Sequence, residues 1–259
     1  MLLIINADDL GYTPGVNRGI VRALQAGVVT STSLMLNQAG TDDALTLLRR
    51  GLVPAAGVHL CLTVGRPLSP PESVPSLVDE SGRFKSRQAL GQETPALDDV
   101  RREFYAQVKR ALEEGIKVTH LDTHHHMHAL PVVLEALIEV AGACRLPVRS
   151  IDEQTRARLK AAGVPSPDYF CGGWFADAVS AVSLQRFISG GLRRGVRSME
   201  LMTHPGEADE LLLRISSYSR GREKELALLC APAFKQWLAG QDVQLAGFAD
   251  ICPGERKKN

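Results

Sequence analysis

VTHLDTHHHMHALPVVLEAL, residues 118–137, is the stretch from which the fold of this chain is read. Val118–Leu121 is a short apolar run of the kind that forms a buried strand. Five of the seven histidines then crowd residues 120–128, too far from either end to be a tag. Pro131 opens a helix with Val133, Leu137, Val140 and Ala141 on one face. The unit is strand, polar loop, helix, with its chemistry where the strand ends.

The same unit recurs. Leu2–Ile5 runs into Asn6-Ala7-Asp8-Asp9, and Thr13-Pro14 then caps a helix with Val16, Ile20, Ala23 and Leu24 inward and Gly27 at its end. Strands are predicted at Val28–Leu36, Ala56–Leu62, Val148, Ser198–Met202 and Val243–Leu245. Helices are predicted at Thr41–Arg50, Asp98–Glu114, near Ala178–Ser189 and at Arg222–Leu238. Strands alternating with helices imply a mostly parallel sheet. Polar clusters follow several strands: NADD, His59, the histidine run and THPG. An open sheet draws on loops near one switch point, whereas a barrel collects residues from many strand ends, so a (β/α) barrel is favoured.

The chain reads as one domain, residues 1–259, with an insertion at about 64–97. That segment carries Pro67, Pro70, Pro71, Pro75 and Pro95 and has no sustained period; it reads as a lid, a binding loop or a surface excursion. The formal charge is +1, with no basic surplus to bind nucleic acid or a membrane. Five scattered cysteines without a CxxC pair suit reduced thiols in the cytoplasm. The opening MLLIINADD lacks a basic n-region, so no signal peptide is expected, and Glu255–Asn259 reads as a charged, solvated end.

Two imidazoles and a carboxylate with one position open are the usual shape of a hydrolytic metal site. His59, the 120–128 run and His204 supply the imidazoles; Asp8, Asp9 and Asp122 supply carboxylates. If the strand continues past 122, then Asp122, His124, His126 and His128 share a face. If the chain turns helical, His124 and His128 pair at i, i+4. His124, nearest the strand end, is the favoured ligand, and His128 is a supporting group or substrate contact. His120 reads as a buried, hydrogen-bonded histidine. One of Asp8 and Asp9 can bind metal while the other acts as base; the alternative, a helix cap, is already filled by Thr13. His204 can protonate a leaving group or be structural. Arg149 can orient an aspartate or form an ordinary ion pair. Tyr169, Phe170, Trp174 and Phe175 can line a sugar site, but core packing is favoured.

These residues carry a family resemblance. INADDLGYTPGVNRGI (5–20), GVVTSTSLMLN (27–37), GVHLCLTVGRPLSP (57–70), THLDTHHHMHALP (119–131) and ELMTHPG (200–206) resemble, in order, segments of the YdjC-like carbohydrate deacetylases, the chitooligosaccharide deacetylase family. The resemblance implies an irregular (β/α) barrel of about seven strands, a homodimer, and one divalent ion such as Mg or Zn. It also implies hydrolysis of the acetamide of an N-acetylated sugar such as diacetylchitobiose. By position it makes Asp9, His59 and His124 the ligands, Asp8 the base and His204 the general acid. Leu10 stands where Phe is common and Thr123 where Ser is common. The rival readings are metal-assisted hydrolysis of another bond, an N-acyl sugar-lipid substrate, and a metal-buffering protein without catalysis.

Overall fold

Nine residues, Leu2–Leu10, form β1, and the alternation of their side chains organises the molecule. Leu3, Ile5 and Ala7 join the main apolar core, while Ile4 packs separately with Ala246 and Phe248. Asn6 and Asp8 share the parity of Ile4; Asn6 bonds Ser33, and Asp8 bonds Arg149. A computed structural model describes residues 1–252; the charged end at Glu255–Asn259 lies outside them.

The other strands are β2 (Ser31–Leu34), β3 (Ala56–Leu60), β4 (Val118–Thr123), β5 (Tyr169–Cys171), β6 (Ser198–Thr203) and β7 (Gln244–Leu245). All ladders are parallel, in the order β4-β3-β2-β1-β6-β5, with β7 beside the start of β1. Beyond β4 the ladder shrinks to one bridge, Leu121 to Val148. The Val148 N–H then donates to the Pro165 carbonyl at 2.9 Å, and Ser150 Oγ donates to the Pro167 carbonyl at 3.1 Å. These contacts lead towards β5, so the sheet curls round as a half-barrel and irregular backbone lies between its edge strands β4 and β5. The expected strand at Val148 is therefore only a bridge: Pro147 has no N–H with which to extend the ladder.

The helices are α1 (Pro14–Ala26), α2 (Thr41–Arg49), α3 (Arg87–Glu93), α4 (Leu97–Glu113), α5 (Pro131–Cys144), α6 (Glu153–Ala161), α7 (Ala181–Arg193), α8 (Glu210–Ile215), α9 (Arg220–Leu229) and α10 (Pro232–Ala239). The cap of α1 is Thr13, whose Oγ1 accepts from the Val16 N–H. Gly27 ends the helix in the left-handed conformation at φ 82°. The long helix expected at 222–238 is two, because Pro232 lacks the N–H needed to continue. The 64–97 segment is ordered by α4: Glu103 accepts from the Leu68 and Ser69 N–H groups, and Asp99 from Ser76. Its α3 brings Arg87 to the C-terminal end of the barrel.

The barrel interior is polar. Asn6, Ser33, His120, Asp122, Arg149 and Glu200 are all buried there. Room for the His120 ring comes from Gly57, where a Cβ would lie 2.3 Å from ring carbon Cε1. The ring stacks on Phe248 at 3.7 Å, bonds Ser33 Oγ through Nε2 and meets Thr119 Oγ1 through Nδ1. His120 is the buried, hydrogen-bonded imidazole that its strand parity suggested.

Candidate active site

At the C-terminal end of β1 the ladder to β2 slips by one residue between Ala7 and Leu10. Asp9 sits there at φ 72°, a left-handed position uncommon for a residue with a Cβ. The bulge cancels the usual alternation, so the Asp8 and Asp9 carboxylates both reach the mouth of the barrel. Neither caps α1.

Asp9 Oδ1 lies 3.2 Å from His59 Nε2 and 3.1 Å from His124 Nδ1. The two nitrogens are 3.3 Å apart. Three potential ligand atoms from β1, β3 and the end of β4 thus form one tight, buried triangle. Asp9 Oδ1 is buried and has no hydrogen-bond partner. An orphaned carboxylate oxygen between two imidazole nitrogens fits a divalent cation, and the mixed nitrogen and oxygen donors suit one.

Surrounding groups hold the triangle. Asp122 Oδ1 is 2.9 Å from His59 Nδ1 and so turns Nε2 towards Asp9. The other Asp122 oxygen accepts from Ser33 Oγ at 2.9 Å and pairs with Arg149 at 3.0 Å. Arg222, from α9, donates to Asp9 Oδ2 at 2.6 Å. Arg149 grips Asp8 with two bonds of 2.7 Å and meets Glu200 at 2.6 Å. Asn6 Nδ2 donates to Asp8 Oδ1 at 2.7 Å.

The charges also fit a divalent ion. Burial works against the Asp9 carboxylate, but Arg222 and His124 hold it well below the usual range. Burial opposes Asp8 and Asp122 too; Arg149 outweighs it for the first, and His59 with Arg149 for the second. Burial likewise disfavours a charged His59, yet Asp122 and Asp9 lift it to about 10. Three buried carboxylates thus face two guanidinium groups, and His59 keeps an extra proton to make up the deficit. A divalent ion would replace that proton. Asp122→Asn should weaken zinc binding about 10–100-fold by releasing the His59 ring. Competition against a chromophoric chelator measures it, and unchanged affinity would show that Asp122 does not orient the ligand.

Past His124 the chain follows neither of the regular geometries weighed from the sequence. His125 and His126 both adopt left-handed φ, 58° and 53°, turning a sharp corner. The corner places His125 and His126 on the wall of a cleft of about 270 Å³, with Asp8, His59, His124, Arg87, Phe175 and His204 among the other lining residues. His125 Nδ1 meets Thr63 Oγ1 at 2.9 Å. His128 lies behind this wall, fully buried, with Nδ1 on Thr123 Oγ1 at 2.6 Å. It supports the corner and lines no part of the cleft. A larger hollow of about 670 Å³, lined by Lys117, Ala141 and Pro165, has none of these groups.

His204 follows β6. Its Nε2 is 3.9 Å from Asp8 Oδ2, and burial lowers its pKa to about 4, so the ring is neutral at pH 7. The aromatic patch divides. Trp174 is fully buried, but Phe175 is 39% exposed and stands edge-on to His204 at 5.3 Å. For Phe175 the core assignment therefore gives way to a position on the wall of the cleft.

Sequence reasoning missed Arg222, Glu200, Glu225, Tyr218 and Arg87. Glu200 had one signal: it is a charge inside a fully buried strand, in register with Met202.

The YdjC-like protein family profile matches residues 2–240. A carbohydrate deacetylase of Brevibacillus brevis is 38% identical over 97% of this chain and all of its own length. A chitooligosaccharide deacetylase of Proteus mirabilis is 35% identical, covering 96% and 98% of the two chains. A crystal structure from Enterococcus faecalis V583, provisionally described as a cellobiose-phosphate cleavage protein, superposes with a TM-score of 0.91 at 31% identity, over 96% of this chain and 98% of that one. With the bulged NADD strand, the histidine corner and the THPG turn assembled at one barrel mouth, this chain belongs to the YdjC-like family.

Proposed function

We propose that this protein is a metal-dependent carbohydrate N-deacetylase that hydrolyses the acetamide of an N-acetylated sugar, releasing acetate and a free amino sugar. The observation that carries this reading is the Asp9–His59–His124 triangle on the cleft floor, with Asp8 and His204 beside it. The deacetylase names of the relatives support the substrate class. We read residues 1–259 as one deacetylase unit whose 64–97 segment shapes the cleft. A cytoplasmic homodimer is part of the same reading, supported by the family resemblance. Cys61, Cys144, Cys171 and Cys230 are free thiols, and among the described residues no helix is long and apolar enough to cross a membrane.

Asp9, His59 and His124 would hold the ion, Zn or Mg. When bound it supplies a Lewis acid for the acetamide carbonyl and a water acidic enough to attack near neutral pH. Asp8 Oδ2 faces the cleft between Arg149 and His204 and accepts the proton of the attacking water. His204 Nε2, 3.9 Å away, relays that proton to the departing nitrogen. His126 Nδ1 is buried without a partner and is positioned to bond a sugar hydroxyl; Phe175 offers the sugar an aromatic face. One ion is expected, not two. The second cluster with ligand geometry, Asp8, His59 and Asp122, already has Arg149 as its cation.

The test is acetate release from N,N′-diacetylchitobiose after metal stripping and resupply with Zn or Mg, with His124→Ala alongside. Metal-dependent acetate, reduced at least about a thousandfold in the variant, is the expected result. Acetate from metal-stripped protein, or none from a panel of N-acetylated sugars with either ion, would overturn the reading.

A further inference from the structure

α9 reaches the catalytic face twice. Arg222 holds Asp9, and Glu225, one turn later, is completely buried beneath His204. Glu225 Oε2 accepts the His204 backbone N–H at 2.5 Å. Its Oε1 accepts the Tyr218 hydroxyl at 2.5 Å and lies 3.9 Å from His204 Nδ1. That nitrogen is buried and has no hydrogen-bond partner. Close packing fixes Tyr218: a Cβ at Gly221 would lie 2.3 Å from its ring, and the Phe175 ring centroid is 4.1 Å away.

We propose that Glu225 is a positioning residue for His204: its carboxylate accepts a hydrogen bond from Nδ1–H, so that Nε2 is the bare nitrogen that faces Asp8 and shuttles the proton. Several charged groups lie near this ring. Asp8 and Asp9 from β1 face it, with Arg149 from beyond β4 and Arg222 from α9. Asp8 is on the Nε2 side, whereas Glu225 Oε1 is the carboxylate oxygen beside Nδ1. A small rotation of the ring closes the 3.9 Å gap to a hydrogen bond. The proton account closes: the proton leaves water for Asp8 Oδ2, passes to His204 Nε2 and ends on the amine, while the Nδ1 proton stays on His204, held by Glu225. A neutral imidazole with Nε2–H instead would have no lone pair there to receive the proton.

The inference rests on the deacetylase reading, and two measurements separate them. On zinc-loaded wild-type protein labelled with ¹⁵N-histidine, the imidazole shifts of His204 should report the Nδ1–H tautomer. This needs neither turnover nor a variant, so it stands if the substrate is wrong or if Glu225→Gln does not fold. A bare Nδ1 would overturn the proposal. In kinetics, Glu225→Gln should lower kcat about a hundredfold, with KM and zinc affinity within about twofold of wild type. In a His204→Ala background the same change should cost less than about twofold more, since Glu225 acts through His204. A loss that persists in that background, or one shared by KM and zinc affinity, would mark Glu225 as merely structural and end the proposal. Absence of acetate from the wild type would count against the deacetylase reading alone.

Discussion

Arg149→Met should destabilise the metal-free protein by at least about 3–5 kcal/mol at pH 7.5, the usual cost of stripping one partner from a buried charge pair. Arg149 is fully buried and touches three carboxylates: Asp8, Asp122 and Glu200. Burial would suppress its charge, but Asp8, Glu200 and Asp122 drive its pKa well above the ordinary arginine value. Methionine keeps most of the side-chain length and removes the cation. The three acids then face one another, since Arg222 is committed to Asp9 on the other side of the mouth. The sign of the pH dependence follows. Without Arg149 the folded-state pKa values of these acids rise, so the penalty is full at neutral pH and shrinks as falling pH protonates them. Urea unfolding at pH 7.5 and at pH 5.5 measures both effects. A variant within about 1 kcal/mol of wild type at pH 7.5 would mean that Arg149 is an ordinary ion pair, the alternative open from sequence.

The polar interior explains why the mouth can be so precise. A barrel of this kind is usually filled with layers of branched apolar side chains. Here the Asn6–Ser33–Asp122 contacts and the Arg149 network fill it instead, and each member fixes the next. His59 is held by Asp122, which is held by Ser33 and Arg149; Asp9 is held by Arg222. Ligand geometry is therefore set by hydrogen bonds, whose directions are specific, and not by packing alone.

The sequence exposed the parts of this site that local pattern can show. Asp9, His59 and His124 each end an apolar run, and such runs read as strands at any position. What local pattern could not show is contact between distant elements. Arg222 and Glu225 lie in RGREKEL, which looks like a solvated helix face because charge alternates with no apolar stripe. Only folding reveals that two of those charges point inward. The histidine corner was illegible for another reason. Periods of 2 and 3.6 both assume regular backbone, and two successive left-handed residues obey neither. The short strand Tyr169–Cys171 was missed because an aromatic tripeptide is too short to show alternation. Helix α6 was missed because only Thr155 and Leu159 of its nine residues are buried.

Acid should unfold the metal-free protein well before the site aspartates titrate. Burial lowers His120, His128 and His204 to about 4 and His125 and His126 to about 3, so the folded protein keeps them neutral. The unfolded chain protonates each near the ordinary histidine value of about 6.5. Between pH 6 and 4.5 the unfolded state therefore binds about five more protons at these residues, and stability falls as pH falls. Glu200 and Glu225 act the other way. Burial raises both to about 7, so in this window the folded state holds two protons that the unfolded state has lost. Five histidines less two glutamates leave about three protons in favour of unfolding, a slope on the order of 4 kcal/mol per pH unit. His59, lifted to about 10, is charged in both states below pH 6.5; its stabilisation is lost only as pH rises towards 10. Asp8, Asp9 and Asp122, all depressed, are lost only below their unfolded values of about 4. The window between pH 6 and 4.5 thus belongs to the histidines. Urea midpoints at pH 6.0, 5.5, 5.0 and 4.5 should fall steadily, and His128→Gln should flatten the slope by on the order of 1 kcal/mol per pH unit. A midpoint that holds or rises from pH 6 to 5 would mean that these imidazoles are charged and paired in the folded state. The neutral His204 on which the proton relay depends would then be lost as well.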